Sequence, residues 1–332
     1  MELYRKATTE NPNWPDGWWF LGILQYDANQ YVAAQEALNR YLQLTPNAAP
    51  ALALRGLCEF NTRNYPQALQ DLELAESLGA ANQPRNAQII SYHEALLLIR
   101  LGRFEEALGK FQILARQSTA NGAKNGADDQ DLLLAVGLAG LRLNLFPDGV
   151  KAEQAALLSS VGRAAVLLMN QDDDGSRQAF QSVFAQYPGV PNIHYLYGYL
   201  LFATKPDEAI SQFREELAIS PHSAHARAMC AWALEFQGDY AASLDDAAKA
   251  ATDDPSLPMA QLVYGRALVE TGDIAGGLPH LKNVLRSEPG NLEAHLTLVK
   301  AYSKLGRSED ARRERLLCLS ISQEGAAPIA SP

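Results

Sequence analysis

Three kinds of residue in this chain could do chemistry by type and spacing. His222 and His225 form a His-x-x-His pair that could start a zinc site, and His93-Glu94 opens like the helical motif whose second His follows four residues after the first. Zinc needs three or four converging ligands. Position 97 is Leu, and no third ligand can be named beside His222 and His225, so these read as surface or packing histidines and no metal is assigned. The acidic runs Asp128-Asp129 and Asp172-Asp173-Asp174 lack the alternating spacing and distant bidentate Glu of a calcium loop; they are expected to be solvated loops that cap helix starts. Cys58, Cys230 and Cys318 sit among apolar neighbours in predicted helices, with no His or Asp to activate them, and read as buried inert thiols. No Ser elbow, phosphate loop or Cys-x-x-Cys pair exists. The expectation is a protein that is not an enzyme, with no catalytic residue and no cofactor.

What remains is architecture. The chain has 332 residues, 28 Lys plus Arg against 38 Asp plus Glu, and a net charge of −10. Such acidity disfavours phosphate backbones and anionic lipid as partners. No uncharged apolar run approaches the length of a membrane span. With 47% hydrophobic residues most of the chain can bury a core, and its length suggests two domains or one elongated array.

Internal repetition decides between them. Pro12 and Pro46 stand 34 residues apart, and Pro188, Pro221, Pro255 and Pro289 continue at 33, 34 and 34, each after a predicted helix. Ala80 stands where the proline after Pro46 is due. Gly238, Gly272 and Gly306 form a second ladder of 34, and Gly22 with Gly56, then Gly198 with Gly265, a third. Each unit reads as two amphipathic helices. Gln261, Tyr264, Gly265 and Leu268 keep helical spacing, Gly272 ends that helix in the left-handed conformation, and Leu281, Val284 and Leu285 mark the second helix up to Pro289. A residue as small as Gly265 suits a close crossing of the two.

Trp18, Leu21 and Gly22, followed by Ala34, Leu38 and Pro46, resemble the tetratricopeptide repeat pattern, with Tyr26 one place beyond the expected tyrosine. Tyr197-Gly198 with Ala209, Phe213 and Pro221, and Tyr264-Gly265 with Pro289, repeat it. The resemblance implies an all-α, right-handed α-solenoid of about nine helix-turn-helix repeats. They are placed at 15–48, 49–82, 88–121, about 130–156, about 157–190, 191–223, 224–257, 258–291 and 292–322. As domains this reads as a lone second helix at 1–14, an N-terminal block at 15–121, an irregular segment at 122–190, a C-terminal block with a capping helix at 191–322, and a disordered tail at 323–332. Arg312, Arg313 and Arg315 are expected on the polar side of that last helix, beside Leu316, Leu317 and Leu319.

In the family, first helices line a concave face. Carrying its groove positions onto this chain selects Trp19, Ile23 and Tyr26, then Leu57 and Phe60, then Tyr92, Leu96 and Ile99, then Tyr195, Tyr199 and Phe202, then Trp232 and Phe236. Arg266, Glu270, Lys300 and Lys304 make the last two units more charged. The nine aromatics among these are the expected peptide-binding residues, since exposed aromatics usually mark contacts and anchor binding. Tyr199 and Trp232 share a register position in adjacent repeats and are expected as neighbours. A carboxylate clamp for chaperone tails is not expected, because its positions hold Trp19, Ile23, Ala53 and Leu57.

The reading is therefore a protein-interaction scaffold that binds a protein or peptide with apolar anchors in its groove. Self-assembly into a homo-oligomer, and groove binding of a small apolar or lipid-like ligand, are the alternatives. Nucleic acid and membrane insertion are not expected. Because Tyr4, Ala7 and Pro12 match only a second helix, the native start and an export signal are expected upstream of Met1. That favours an exported or periplasmic bacterial protein; three unpaired cysteines point instead to the cytoplasm.

Overall fold

The computed structural model describes residues 1–120 and 129–326, and the described residues form helices and turns with no strand. They divide into two compact units, Met1–Gln186 and Tyr187–Pro332. The division thus lies at 186/187, inside the segment 122–190, whose residues up to Gln186 share unit 1 with 15–121.

Unit 1 begins with a single helix, α1 (Glu2–Glu10), followed by the hairpins α2 (Pro15–Asp27) with α3 (Tyr31–Leu44), α4 (Ala49–Asn61) with α5 (Tyr65–Ser77), and α6 (Pro84–Arg100) with α7 (Phe104–Ala120). A lone helix α8 (Gln130–Gly140) precedes α9 (Ala152–Met169) and α10 (Asp173–Gln186). Unit 2 holds four hairpins: α11 (Ile193–Leu201) with α12 (Pro206–Ile219), α13 (Ala224–Phe236) with α14 (Tyr240–Asp253), α15 (Pro258–Thr271) with α16 (Ile274–Ser287), and α17 (Leu292–Lys304) with α18 (Ser308–Ala326). Each unit is a stretch of α-solenoid.

Four of the hairpins share one joint. A side chain built on Gly22 would meet Leu38 at 3.0 Å, on Gly56 Leu72 at 2.9 Å, on Gly198 Phe213 at 2.8 Å, and on Gly265 Leu281 at 2.9 Å. The four apolar residues are fully buried, each contributing about 1.5–3 kcal/mol by burial. Five of the ladder prolines lie in turns between hairpins, and Pro12 lies in the turn between α1 and α2. Where the first helix turns into the second, Gly238, Gly272 and Gly306 have φ of 83°, 107° and 70°. The same left-handed step is taken by Asn29, Arg63, Arg142 and Gln171, at φ from 56° to 66°. The glycine ladder is therefore one part of a longer ladder in which non-glycine residues accept a conformation that costs them about 1–2 kcal/mol.

Helix starts are capped by short polar side chains. Asp129 accepts from the amides of Asp131 and Leu132, and Asp172 from that of Gly175 at 3.0 Å, as expected of the two acidic runs. Asp128 lies outside the described residues. Ser223, Asp239, Asp273 and Asn291 cap α13, α14, α16 and α17 in the same way.

Three expectations need correction. The boundary between repeats at 156/157 falls inside α9, and among the described residues α8 has no second helix: residues 141–151 form a coil with one short turn at Pro147–Gly149. The array is thus eight hairpins with two single helices. Deprived of its own partner, α8 packs on α9, and the contact is backbone on backbone. A side chain on Gly137 would collide with the Leu158 carbonyl, and one on Gly162 with the Leu133 carbonyl. Second, α18 continues to Ala326, through part of the expected tail; 327–332 lie outside the described residues. Third, Leu316, Leu317 and Leu319 are exposed along with the arginines, and Cys318 faces inward. At the other end, Tyr4 stacks on Trp14 at 6.3 Å and meets Phe20 at 5.7 Å, so α1 covers the outer face of α2.

Replacing Gly162 by Ala is expected to lower the stability of unit 1 by about 1–3 kcal/mol, read as the urea midpoint by circular dichroism, because neither backbone can yield without separating the helices. Arg63→Gly should act in the opposite direction, raising the midpoint by an amount equivalent to about 0.5–1 kcal/mol, since it relieves the left-handed strain.

Candidate functional site

The first helices of unit 1 bring one apolar face together. On α2 the spacing of Trp19, Ile23 and Tyr26 puts all three on one side. Pro50, Ala53, Leu54 and Leu57 of α4 lie beside them, and Ile89 and Ile90 of α6 close the far wall around a cavity of about 300 Å³. Asp27 and Asn86 are the polar members of that lining with side-chain hydrogen-bonding capacity. The anchors are held in place: Trp19 packs on Tyr41 at 5.5 Å, and Tyr26 meets the edge of Tyr31 at 5.6 Å. Tyr31 in turn donates to Asn29 Oδ1 at 2.7 Å. Burial also pushes the Tyr26 hydroxyl pKa up, keeping it a neutral donor.

A second cavity of about 330 Å³ continues from Ile89, which lines both. Its walls are Gln88, Tyr92 and His93 of α6, Leu114 of α7, and Asp129, Asp131 and Leu132 at the start of α8. Tyr92 is set by edge contacts with His93 at 5.9 Å and Phe111 at 6.5 Å. Its hydroxyl is pushed up to about 12, first by burial and then by the charges of Asp131 and Asp129. His93 is lowered by burial, against the hydrogen bond it donates to the Ile89 carbonyl at 2.8 Å, and so is neutral at pH 7.

Phe60 is placed differently from the expectation of an open groove position. Phe146, from the coil after α8, packs against it at 5.2 Å and against Tyr65 at 5.3 Å, with His93 at 5.0 Å on another side. The coil that replaces a second helix therefore folds over Phe60. Leu96 and Ile99 are buried rather than lining a groove, because α6 is packed between α5, α7 and α8.

In unit 2, Tyr195 is 3% exposed and is a core residue rather than a contact residue. Its ring lies among Tyr199 at 6.3 Å, Phe213 at 6.0 Å and His225 at 6.5 Å. Tyr199 is half-buried. Phe202 meets Trp232 at 5.1 Å and Phe236 at 5.5 Å. Trp232 is half-buried against the core of Ala228, Ala231 and Val263, whereas Phe236 is 62% exposed. Arg266, Glu270, Lys300 and Lys304 are engaged between successive repeats: Arg266 pairs with Glu235 at 2.5 Å and Glu293 at 3.3 Å, Lys300 with Glu270, and Lys304 donates to the Val269 carbonyl at 3.1 Å.

Three tetratricopeptide repeat models match the sequence, at residues 21–87, 224–245 and 268–314. The chain carries tetratricopeptide repeats over these residues. No curated protein matches its sequence. Among solved structures it is similar to that of MamA, at 18% identity over 49% of this chain and 96% of that one, with a TM-score of 0.44. It is also similar to a tetratricopeptide repeat protein from Parabacteroides merdae ATCC 43184, at 14% identity over 91% and 99%, with a TM-score of 0.43. A third is the C-terminal part of a repeat protein from Cytophaga hutchinsonii, at 11% over 90% and 91%, with a TM-score of 0.38.

The residues that could do chemistry serve the tetratricopeptide framework. His222 donates to Asp253 at 3.1 Å, while His225 turns to the Tyr195 ring, so the His-x-x-His pair does not converge. Among the described residues no three His, Cys, Asp or Glu side chains gather as a metal site. The Cys58 and Cys230 thiols are pushed up to about 12 by burial, and Cys318 is also raised. No helix of the described residues is long and apolar enough to cross a membrane.

One titrating group escaped the sequence reading. Glu59, 3% exposed, accepts from Gln35 at 3.0 Å and is pushed up to about 7, by burial first and then by the charge of Asp71, which Arg55 grips at 2.5 and 2.9 Å. No motif marks it; only the packing of α3, α4 and α5 makes it buried. The folded chain holds this proton more tightly than the unfolded one. The stabilisation is therefore complete below the ordinary Glu value of 4.5 and is lost as pH rises through about 7. Unfolding midpoints of unit 1 should fall between pH 5 and 8, and Glu59→Gln, measured by urea titration across that range, should flatten the fall.

Proposed function

We propose that this chain holds a partner segment, extended or helical, by apolar side chains seated in the groove of α2, α4 and α6, in keeping with the general role of tetratricopeptide proteins as protein-interaction scaffolds without enzymatic activity. The single observation behind this reading is the cavity of about 300 Å³ walled by Trp19, Ile23, Tyr26, Leu54, Leu57 and Ile89, each from a rigid helix. Water in such a cavity gains little from its walls, and an apolar anchor that displaces it removes aromatic and aliphatic surface from solvent together. The anchors are already ordered by Tyr41 and Tyr31, so little rotamer entropy is lost on binding. Phe202, Trp232 and Phe236 offer a second apolar surface in unit 2, with Phe236 as its most open member.

The test is selection from a displayed peptide library on the full chain, beside a Trp19→Ala variant and a Phe236→Ala variant of unchanged helicity. Peptides with spaced apolar residues should be enriched, and Trp19→Ala should weaken them by about 2–4 kcal/mol. Affinity unmoved by Trp19→Ala but reduced by Phe236→Ala would relocate the site to unit 2. Loss of neither, with a concentration-dependent dimer in light scattering, would make the apolar surface a contact between copies.

A further inference from the structure

The two cavities of unit 1 differ in what they ask of a guest, and resting on the groove reading above we propose that the partner segment is basic as well as apolar: it places a Lys or Arg in the cavity of Tyr92, Asp129 and Asp131 while its apolar anchor fills the cavity of Trp19, Tyr26 and Leu57. The cavities meet at Ile89, so one short segment can occupy both. Among the described residues their linings contain the carboxylates Asp27, Asp129 and Asp131 and no Lys or Arg. His93, the one other titratable base in the walls, is held neutral by burial.

The opposing term is the positive end of α8, where the second cavity sits. It amounts to about half an elementary charge and is met by Asp129, whose Oδ1 takes the amides of Asp131 and Leu132. Two full negative charges against that half leave the cavity acidic. A cation there can also meet the face of Tyr92, and its aliphatic stem can lie along Ile89, Leu114 and Leu132. An acidic segment would instead bring its carboxylates against Asp129 and Asp131 with no cation to receive them, and a purely apolar one would leave both carboxylates facing its surface. The net charge of −10 draws a basic partner from a distance as well.

The experiment uses the full chain and a displayed random dodecapeptide library, followed by fluorescence titration of one enriched peptide and its Lys→Glu and Lys→Gln forms. Enriched sequences should pair Leu, Phe or Trp with Lys or Arg. Asp131→Asn should weaken the Lys peptide about fivefold, and Asp131→Lys should reverse the preference between its Lys and Glu forms. Asp131 offers the cleaner variant because Asp129 also caps α8. Apolar peptides enriched without basic residues, bound equally by the Asp131 variants and lost in Trp19→Ala, overturn the basic partner and leave the groove standing. No enrichment on the folded chain overturns both.

Discussion

Four hairpins, two in each unit, depend on one contact: a residue without a side chain on the first helix, lying under a large apolar side chain of the second. Gly22 under Leu38, Gly56 under Leu72, Gly198 under Phe213 and Gly265 under Leu281 repeat it. The spacing is fifteen or sixteen residues each time, set by the length of two helical arms and a tight turn. A side chain at the glycine would push the helices apart. A smaller residue above it would leave a void, and close-packed interiors tolerate neither. Once the helices are this near, a tight turn between them follows, left-handed after α2, α4 and α15, and so does the stripe of first-helix residues turned toward the groove. The Trp19, Ile23 and Tyr26 face of α2 is set beside Gly22, which lies within one helical turn of all three and fastens α2 to α3.

How much of this was legible in the sequence varied with the kind of interaction. The hairpin joint was legible because it recurs: proline turns, glycine turns and small joint residues each repeat near 34, and nearest-neighbour stacking makes the fold a sum of local units. Asp129 and Asp172 were legible as caps for the same local reason. The failures come where a contact is made once. Gly137 and Gly162 form the α8–α9 crossing, yet nothing in their spacing separates them from ordinary helix glycines. Phe146 covers Phe60 from a coil that replaces an expected helix. Tyr195 occupies a register position that is open elsewhere, but Phe213 and His225 enclose it. The family register tells which face of a helix a residue occupies; the size of its neighbours tells whether it meets water.

Charge follows a similar division. The carboxylates of Asp27, Asp129 and Asp131 were visible as letters but not as members of one acidic, aromatic groove, because α2, α6 and α8 are brought together only by the stacking of whole hairpins. Charges farther along, Arg266 with Glu235 and Lys300 with Glu270, are instead spent between neighbouring repeats. They pin successive units and leave less charge for a guest. Burial raises Glu235 to about 7 despite Arg266, as it raises Glu59, so carboxyls in both units hold protons because of packing rather than motif.

The bare crossing of α8 on α9 has a consequence for how such a chain can lengthen or shorten. Where each unit carries its own joint of Gly beneath Leu, a duplicated unit of 34 residues brings that joint with it and stacks on its neighbours through the contact the existing units already use. Between Gly137 and Gly162 the two faces match only each other. A unit copied into that interval would set an ordinary side-chain ridge against a surface that accepts none. Repeat number is free to drift on either side of α8 and α9, while these two helices must be inherited as a pair.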